Sequence, residues 1–217
     1  MCLKQNMENI IVKSVFLTAL FFCLCVFAAS SARAAQIVAH DVPKVSGNVV
    51  KAVRYADATG DNLVLLTETE KYVKPDRKHP REGKDKELFA YRFLLHNNGS
   101  VEQVWQVADY VYDCELDGMN ADFDRDAFRI TDLDKNGVAE IWMTYALGCR
   151  GDPGPMTMKI VMYEGGKKYA VRGETRSRVT ETEYAGGGYT PDAAFASGPA
   201  EFAAFAKQLW EHYKNKN

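Results

Sequence analysis

The residues best equipped for chemistry stand in one string, Asp132-Leu133-Asp134-Lys135-Asn136-Gly137-Val138-Ala139-Glu140. Oxygen-bearing side chains recur there at alternate positions, and a tight loop turns alternate side chains toward one centre. Ca²⁺ takes about six to eight oxygen ligands, mostly carboxylates and carbonyls. The spacing predicts a Ca²⁺ site held by the side chains of Asp132, Asp134, Asn136 and Glu140 and the carbonyl of Val138. Gly137 would permit the sharp turn. An Asp/Asn/Gly turn with no metal has the same composition. An EF-hand needs a bidentate Glu at the twelfth loop position, but Met143 stands there and the following segment reads as strand, so this is not an EF-hand.

A second acidic stretch runs through Asp113, Glu115, Asp117, Asp122, Asp124 and Asp126. Asp122, Asp124 and Asp126 form a second candidate acidic site. It reads as a solvated or Ca²⁺-supporting loop, with paired-carboxylate glycoside chemistry as the alternative. Cys114 lies inside the stretch and Cys149 beyond it. In an oxidising compartment an even pair implies a disulfide, and free buried thiols are the other reading. No other catalytic pattern is present. The sequence has no G-x-S-x-G around its serines, no P-loop and no G-x-G-x-x-G. His40, His79, His96 and His212 have no metal-ligand spacing. No catalytic residue is assigned.

The elements that must position these groups are short alternating segments. Val49–Tyr55, Leu63–Thr69, Leu88–Leu95 and Val101–Val107 read as strands. The string Asp57-Ala58-Thr59-Gly60-Asp61-Asn62 turns between the first two. His96-Asn97-Asn98-Gly99 is a hairpin turn, because Asn-Gly supplies the positive φ angles a tight turn needs. Val138–Tyr145 and Met156–Met162 are further strands, and Glu164-Gly165-Gly166-Lys167 turns into one through Tyr169 and Val171. Residues 49–107 and 127–172 share this plan, a weak internal duplication that any meander of hairpins would also mimic. Residues 199–214 read as an amphipathic helix, with Phe202, Phe205, Leu209 and Tyr213 at helical spacing. The fold class expected is mainly β, built of antiparallel hairpins in a sandwich or twisted sheet, with a C-terminal α-helix.

Residues 1–34 have the form of a secretory signal peptide. Lys4 and Lys13 precede an apolar run from Val15 to Ala29, and Ala32-Arg33-Ala34 fits an A-x-A cleavage pattern. An uncleaved anchor and a lipoprotein are alternatives, the latter lacking small residues before Cys23 and Cys25. Cleavage leaves residues 35–217 as a single exported domain, in the periplasm, at the cell surface or secreted. No later stretch is apolar enough for a membrane span. The remaining 24 basic and 28 acidic residues give a net charge of −4, which does not suggest a nucleic-acid partner. The basic loop 71–86 is a solvated hairpin loop or a contact for an anionic polymer, lipid head group or protein.

The Asp132–Glu140 string resembles the Ca²⁺ loops of FG-GAP and VCBS repeats, which place D-x-D-x-D/N-G-x-x-D/E between two strands. The wider segments Phe128–Asp134, Ala139–Trp142, Gly148–Pro153 and Met158–Tyr169 look like an exported bacterial family labelled for surface polysaccharide biosynthesis. These resemblances imply a Ca²⁺-braced strand loop and a cell-envelope role. The expectation is a non-catalytic exported domain that binds a glycan or envelope protein. A carbohydrate-active enzyme using the acidic loop 113–126, and an inhibitor or assembly factor using the basic loop, are the alternatives.

Overall fold

The computed structural model describes residues 43–73 and 83–216. The expected export signal and the central part of the basic loop, residues 74–82, lie outside the described residues. The first four strands are β1 (Asn48–Asp57), β2 (Gly60–Glu68), β3 (Lys84–Leu95) and β4 (Val101–Cys114). They form an antiparallel meander in chain order. A second sheet contains β5 (Gly118–Phe123), β6 (Arg129–Thr131), β7 (Glu140–Arg150), β8 (Thr157–Glu164) and β9 (Lys167–Glu174). Two short strands, β10 (Arg176–Arg178) and β11 (Tyr184–Gly186), pair with each other. The last strand, β12 (Tyr189–Pro191), borders β9 and completes the second sheet in the order β12-β9-β8-β7-β5. β6 also pairs with β7. The helices α1 (Ala193–Ser197) and α2 (Ala200–Tyr213) follow.

The fold is mainly β and antiparallel, as the alternation of side chains requires, with no closed barrel. Successive side chains of a strand point to opposite faces, and β7 uses both faces. Ile141, Met143, Tyr145 and Leu147 pack against Tyr55, Val64, Leu66, Leu88, Ala90, Trp105 and Val107 of the first sheet. Trp142 points the other way, with Met158, Ile160, Met162, Tyr169 and Val171, onto Phe195 of α1 and Phe202, Ala206, Leu209, Trp210 and Tyr213 of α2. The second sheet is therefore the middle layer of three. Burial on both faces explains why β7 reads as a nearly continuous apolar run. The helical spacing of Phe202, Leu209 and Tyr213 marks the face of α2 that meets the sheet; Trp210 adds the largest side chain to it, fully buried.

A disulfide joins Cys114, at the end of the edge strand β4, to Cys149 in β7, with the Cα atoms 5.6 Å apart. It ties the two sheets together at one end. Among the described residues no helix is long and apolar enough to cross a membrane.

Candidate functional site

The loop between β6 and β7 carries the Asp-rich string. Asp132, Asp134 and Glu140 each bring a carboxylate oxygen within 4.8 Å of the others. Strand geometry alone would not do this. Lys135 and Gly137 both take positive φ, 61° and 84°, and the two left-handed residues fold the loop back on itself. At Gly137 a side chain would be strained by that backbone angle. The carboxylates also build the loop. Gly137 N donates to Asp132 Oδ2 at 3.2 Å and Asn136 N donates to Asp134 Oδ1 at 3.2 Å. Glu140 is fully buried and accepts from Leu133 N at 2.9 Å and Thr131 Oγ1 at 2.6 Å. Val138 contributes its N–H, which donates to Asn136 Oδ1 at 2.7 Å.

A fourth carboxylate joins them from elsewhere in the chain. Glu164 ends β8 directly opposite Glu140 in the ladder. Asn136 Nδ2 donates to Glu164 Oε1 at 2.5 Å and to Asp134 Oδ2 at 2.9 Å. Burial pushes the Glu164 carboxyl above its ordinary range; the Asn136 bond opposes this, and the charges of Asp134 and Glu140 reinforce it. The loop is thus a centre of concentrated negative potential. Its donors are all hard oxygens, the set that suits Ca²⁺ or Mg²⁺ rather than zinc.

The loop is anchored to the first sheet by the β1–β2 turn. Asp57 Oδ2 accepts from Ala139 N at 2.9 Å, and Ala58 N donates to the Gly137 carbonyl at 2.8 Å. Asp57 Oδ1 accepts from Thr59 N and Asn62 Nδ2. Burial would raise the Asp57 carboxyl, but the bonds from Thr59 and Ala139 and the charge of Arg92 outweigh it and hold the group below 3.8. Arg92, almost fully buried, donates to Asn62 Oδ1, Thr59 Oγ1 and the Gly165 carbonyl. One guanidinium therefore ties the β1–β2 turn to the β8–β9 turn that carries Glu164.

The second acidic site lies elsewhere. β5 and β6 lie along the same side of β7, and the chain between them leaves the sheet at Asp124-Arg125-Asp126. This break opens a cleft of about 510 Å³ beside the C-terminal end of α2. Asp122, Asp124 and Asp126 all line it, with Thr144, Met156 and Met158 from the neighbouring strands. They do not act as one group. Asp122 pairs with Lys86, whereas Lys216 Nζ is 3.1 Å from Asp124 Oδ2 and 3.8 Å from Asp126 Oδ2. Near Asp122, Glu68 is buried and accepts from Phe123 N at 2.9 Å. Burial raises its carboxyl above the ordinary value; the Phe123 bond and Arg125 oppose this, and Asp122 adds to it.

Glu164, Asp57, Glu68 and Thr144 were not singled out by the sequence reading. Only Glu164 had a local cue, since it opens a Gly-Gly turn and the following hairpin places it near the loop. Against protein-family models, curated proteins and solved structures alike, the chain finds no match.

Proposed function

We propose that this is an exported cell-envelope domain that binds a partner rather than transforming one, and that the 132–140 loop holds Ca²⁺ as a structural brace. The observation that carries the metal reading is the convergence of Asp132, Asp134 and Glu140 within 4.8 Å. Glu164 and Asn136 extend the donor set. A half-turn of the Asn136 amide about its terminal bond would exchange Nδ2 for Oδ1 and offer oxygen to the ion. The ion would neutralise carboxylate charge now met by neutral backbone and side-chain donors of the loop, and through Asp57 and Arg92 it would stiffen the junction of the two sheets. The envelope role and the link to surface polysaccharide rest on the export signal and the family resemblance. Cys114–Cys149 supports them, because disulfides persist outside the reducing cytoplasm.

The test is thermal unfolding of the mature chain in EGTA and then in rising Ca²⁺. Free ion at 100 times its Kd adds about 2.7 kcal/mol when only the folded state binds. Asp134→Ala should abolish the shift. A wild-type melting temperature indifferent to Ca²⁺ would dispose of the brace.

A second reading, a carbohydrate-active enzyme, draws on the cleft beside Asp122 and the neighbouring Glu68. It requires glycan turnover that Asp122→Asn abolishes.

A further inference from the structure

The cleft beside the end of α2 contains an arrangement that neither the Ca²⁺ reading nor the fold requires. Two of its carboxylates, the largely buried Asp124 and the exposed Asp126, are met by one ammonium group, that of Lys216. The same Nζ lies 4.7 Å from the centre of the Tyr213 ring, within the range of a cation–π contact. Two carboxylates and an aromatic face are a complete recognition set for a primary ammonium ion. The Tyr213 ring is fixed by its burial in the cluster under α2 and by its hydroxyl, which donates to the Asp126 carbonyl at 2.8 Å.

The cation is more exposed than Asp124, its nearer partner. Half of the Lys216 side chain remains exposed, and it lies beyond the last helical residue of α2. Asp124 is held by the sheet: its N–H donates to the Thr144 carbonyl at 2.8 Å. The cleft also has capacity beyond an ammonium head. Thr144 lines it, is 3% exposed, and its hydroxyl oxygen has no hydrogen-bond partner among the described residues. A buried hydroxyl normally finds a partner. Met156 and Met158 add an apolar floor, and the volume of about 510 Å³ falls in the range of small-ligand clefts.

We propose that this cleft is a binding site for a small molecule bearing a primary ammonium group beside a hydroxylated or apolar body, and that Lys216 occupies it in cis as a displaceable internal ligand. Asp124, Asp126 and the Tyr213 ring take the ammonium group. Thr144 and the two methionines meet the remainder. An amino sugar and a lysine side chain share this chemistry.

The experiment titrates the mature protein with glucosamine, with N-acetyl-lysine methylamide and with N-acetylglucosamine, which lacks the ammonium group. Methyl resonances of Thr144, Ala146, Met156 and Met158 are followed by NMR. Saturable shifts with glucosamine or the lysine probe, but not with N-acetylglucosamine, are expected; whichever probe responds identifies the source. Lys216→Ala should tighten binding up to about fivefold, the equivalent of about 1 kcal/mol for a half-exposed ion pair. Asp124→Asn/Asp126→Asn should abolish the shifts while leaving the remaining methyl spectrum folded. No saturable shift in either the wild type or Lys216→Ala, or equal affinity in the double Asn variant, would overturn the assignment. Asp134→Ala should leave probe binding intact, so this result and the Ca²⁺ result stand or fall separately.

Discussion

Asp57 gives the sharpest test of how the two sheets are joined. Its carboxylate accepts from Ala139 N across the junction, and Ala139 is only 8% exposed. Asp57→Ala strands that N–H away from water, and an unsatisfied buried donor costs about 1–3 kcal/mol. The Asn62 amide keeps the Gly60 carbonyl at 2.8 Å, so it adds little. Buried Arg92 loses its nearby counter-charge, which brings the expected loss to about 3 kcal/mol. For a domain of this size that corresponds to a fall in Tm of roughly 6–12 °C. Asp57→Asn keeps one oxygen acceptor and should lose only about 1 kcal/mol.

The pH dependence follows from the lowered carboxyl. A group held below its unfolded value contributes fully above that value and loses its contribution as pH falls toward the folded one. The gap between wild type and Asp57→Ala should therefore be constant near neutrality and shrink once pH drops below 3.8. Urea unfolding followed by the fluorescence of the buried Trp105, Trp142 and Trp210 measures both effects. A loss under about 1 kcal/mol for Asp57→Ala, or a gap that does not change with acid, would refute the anchoring role.

Two further outcomes are expected. Replacing Cys114 and Cys149 together by Ala opens a closure of 35 residues; the chain-entropy relation sets the loss at about 4 kcal/mol, measured by denaturant unfolding against the oxidised protein. An equal stability of the two forms would show that the cross-link constrains nothing. Glu68→Gln tests the opposite sign from Asp57. A carboxyl raised above 4.5 in the fold destabilises increasingly as pH rises through the interval above that value. The variant should gain on wild type across that interval and then level off, and a difference independent of pH would exclude burial of Glu68 as the cause.

Read alone, the sequence determined what depends on local periodicity. Alternation gave the strands, and Asn98-Gly99 and Gly165-Gly166 gave their turns, because backbone angles and side-chain faces are set within a few residues. The spacing of Asp132, Asp134 and Glu140 likewise determined a loop whose carboxylates converge, since two left-handed residues suffice to fold it. Apolar runs such as Ile141–Tyr145 marked burial without saying against what. Only the tertiary structure decided that one face of β7 meets the first sheet and the other meets α2. It also placed Glu164 beside the loop through the β7–β8 register, and used Asp57 to clamp the loop from a strand about 80 residues away. In the sequence that Asp belongs to an ordinary turn. Its role comes from the distance between two sheets, a quantity set by the packing of both cores and written in no local spacing. The cleft at Asp124 has the same origin, arising where the chain leaves one side of β7 between two strands that the sequence lists as neighbours.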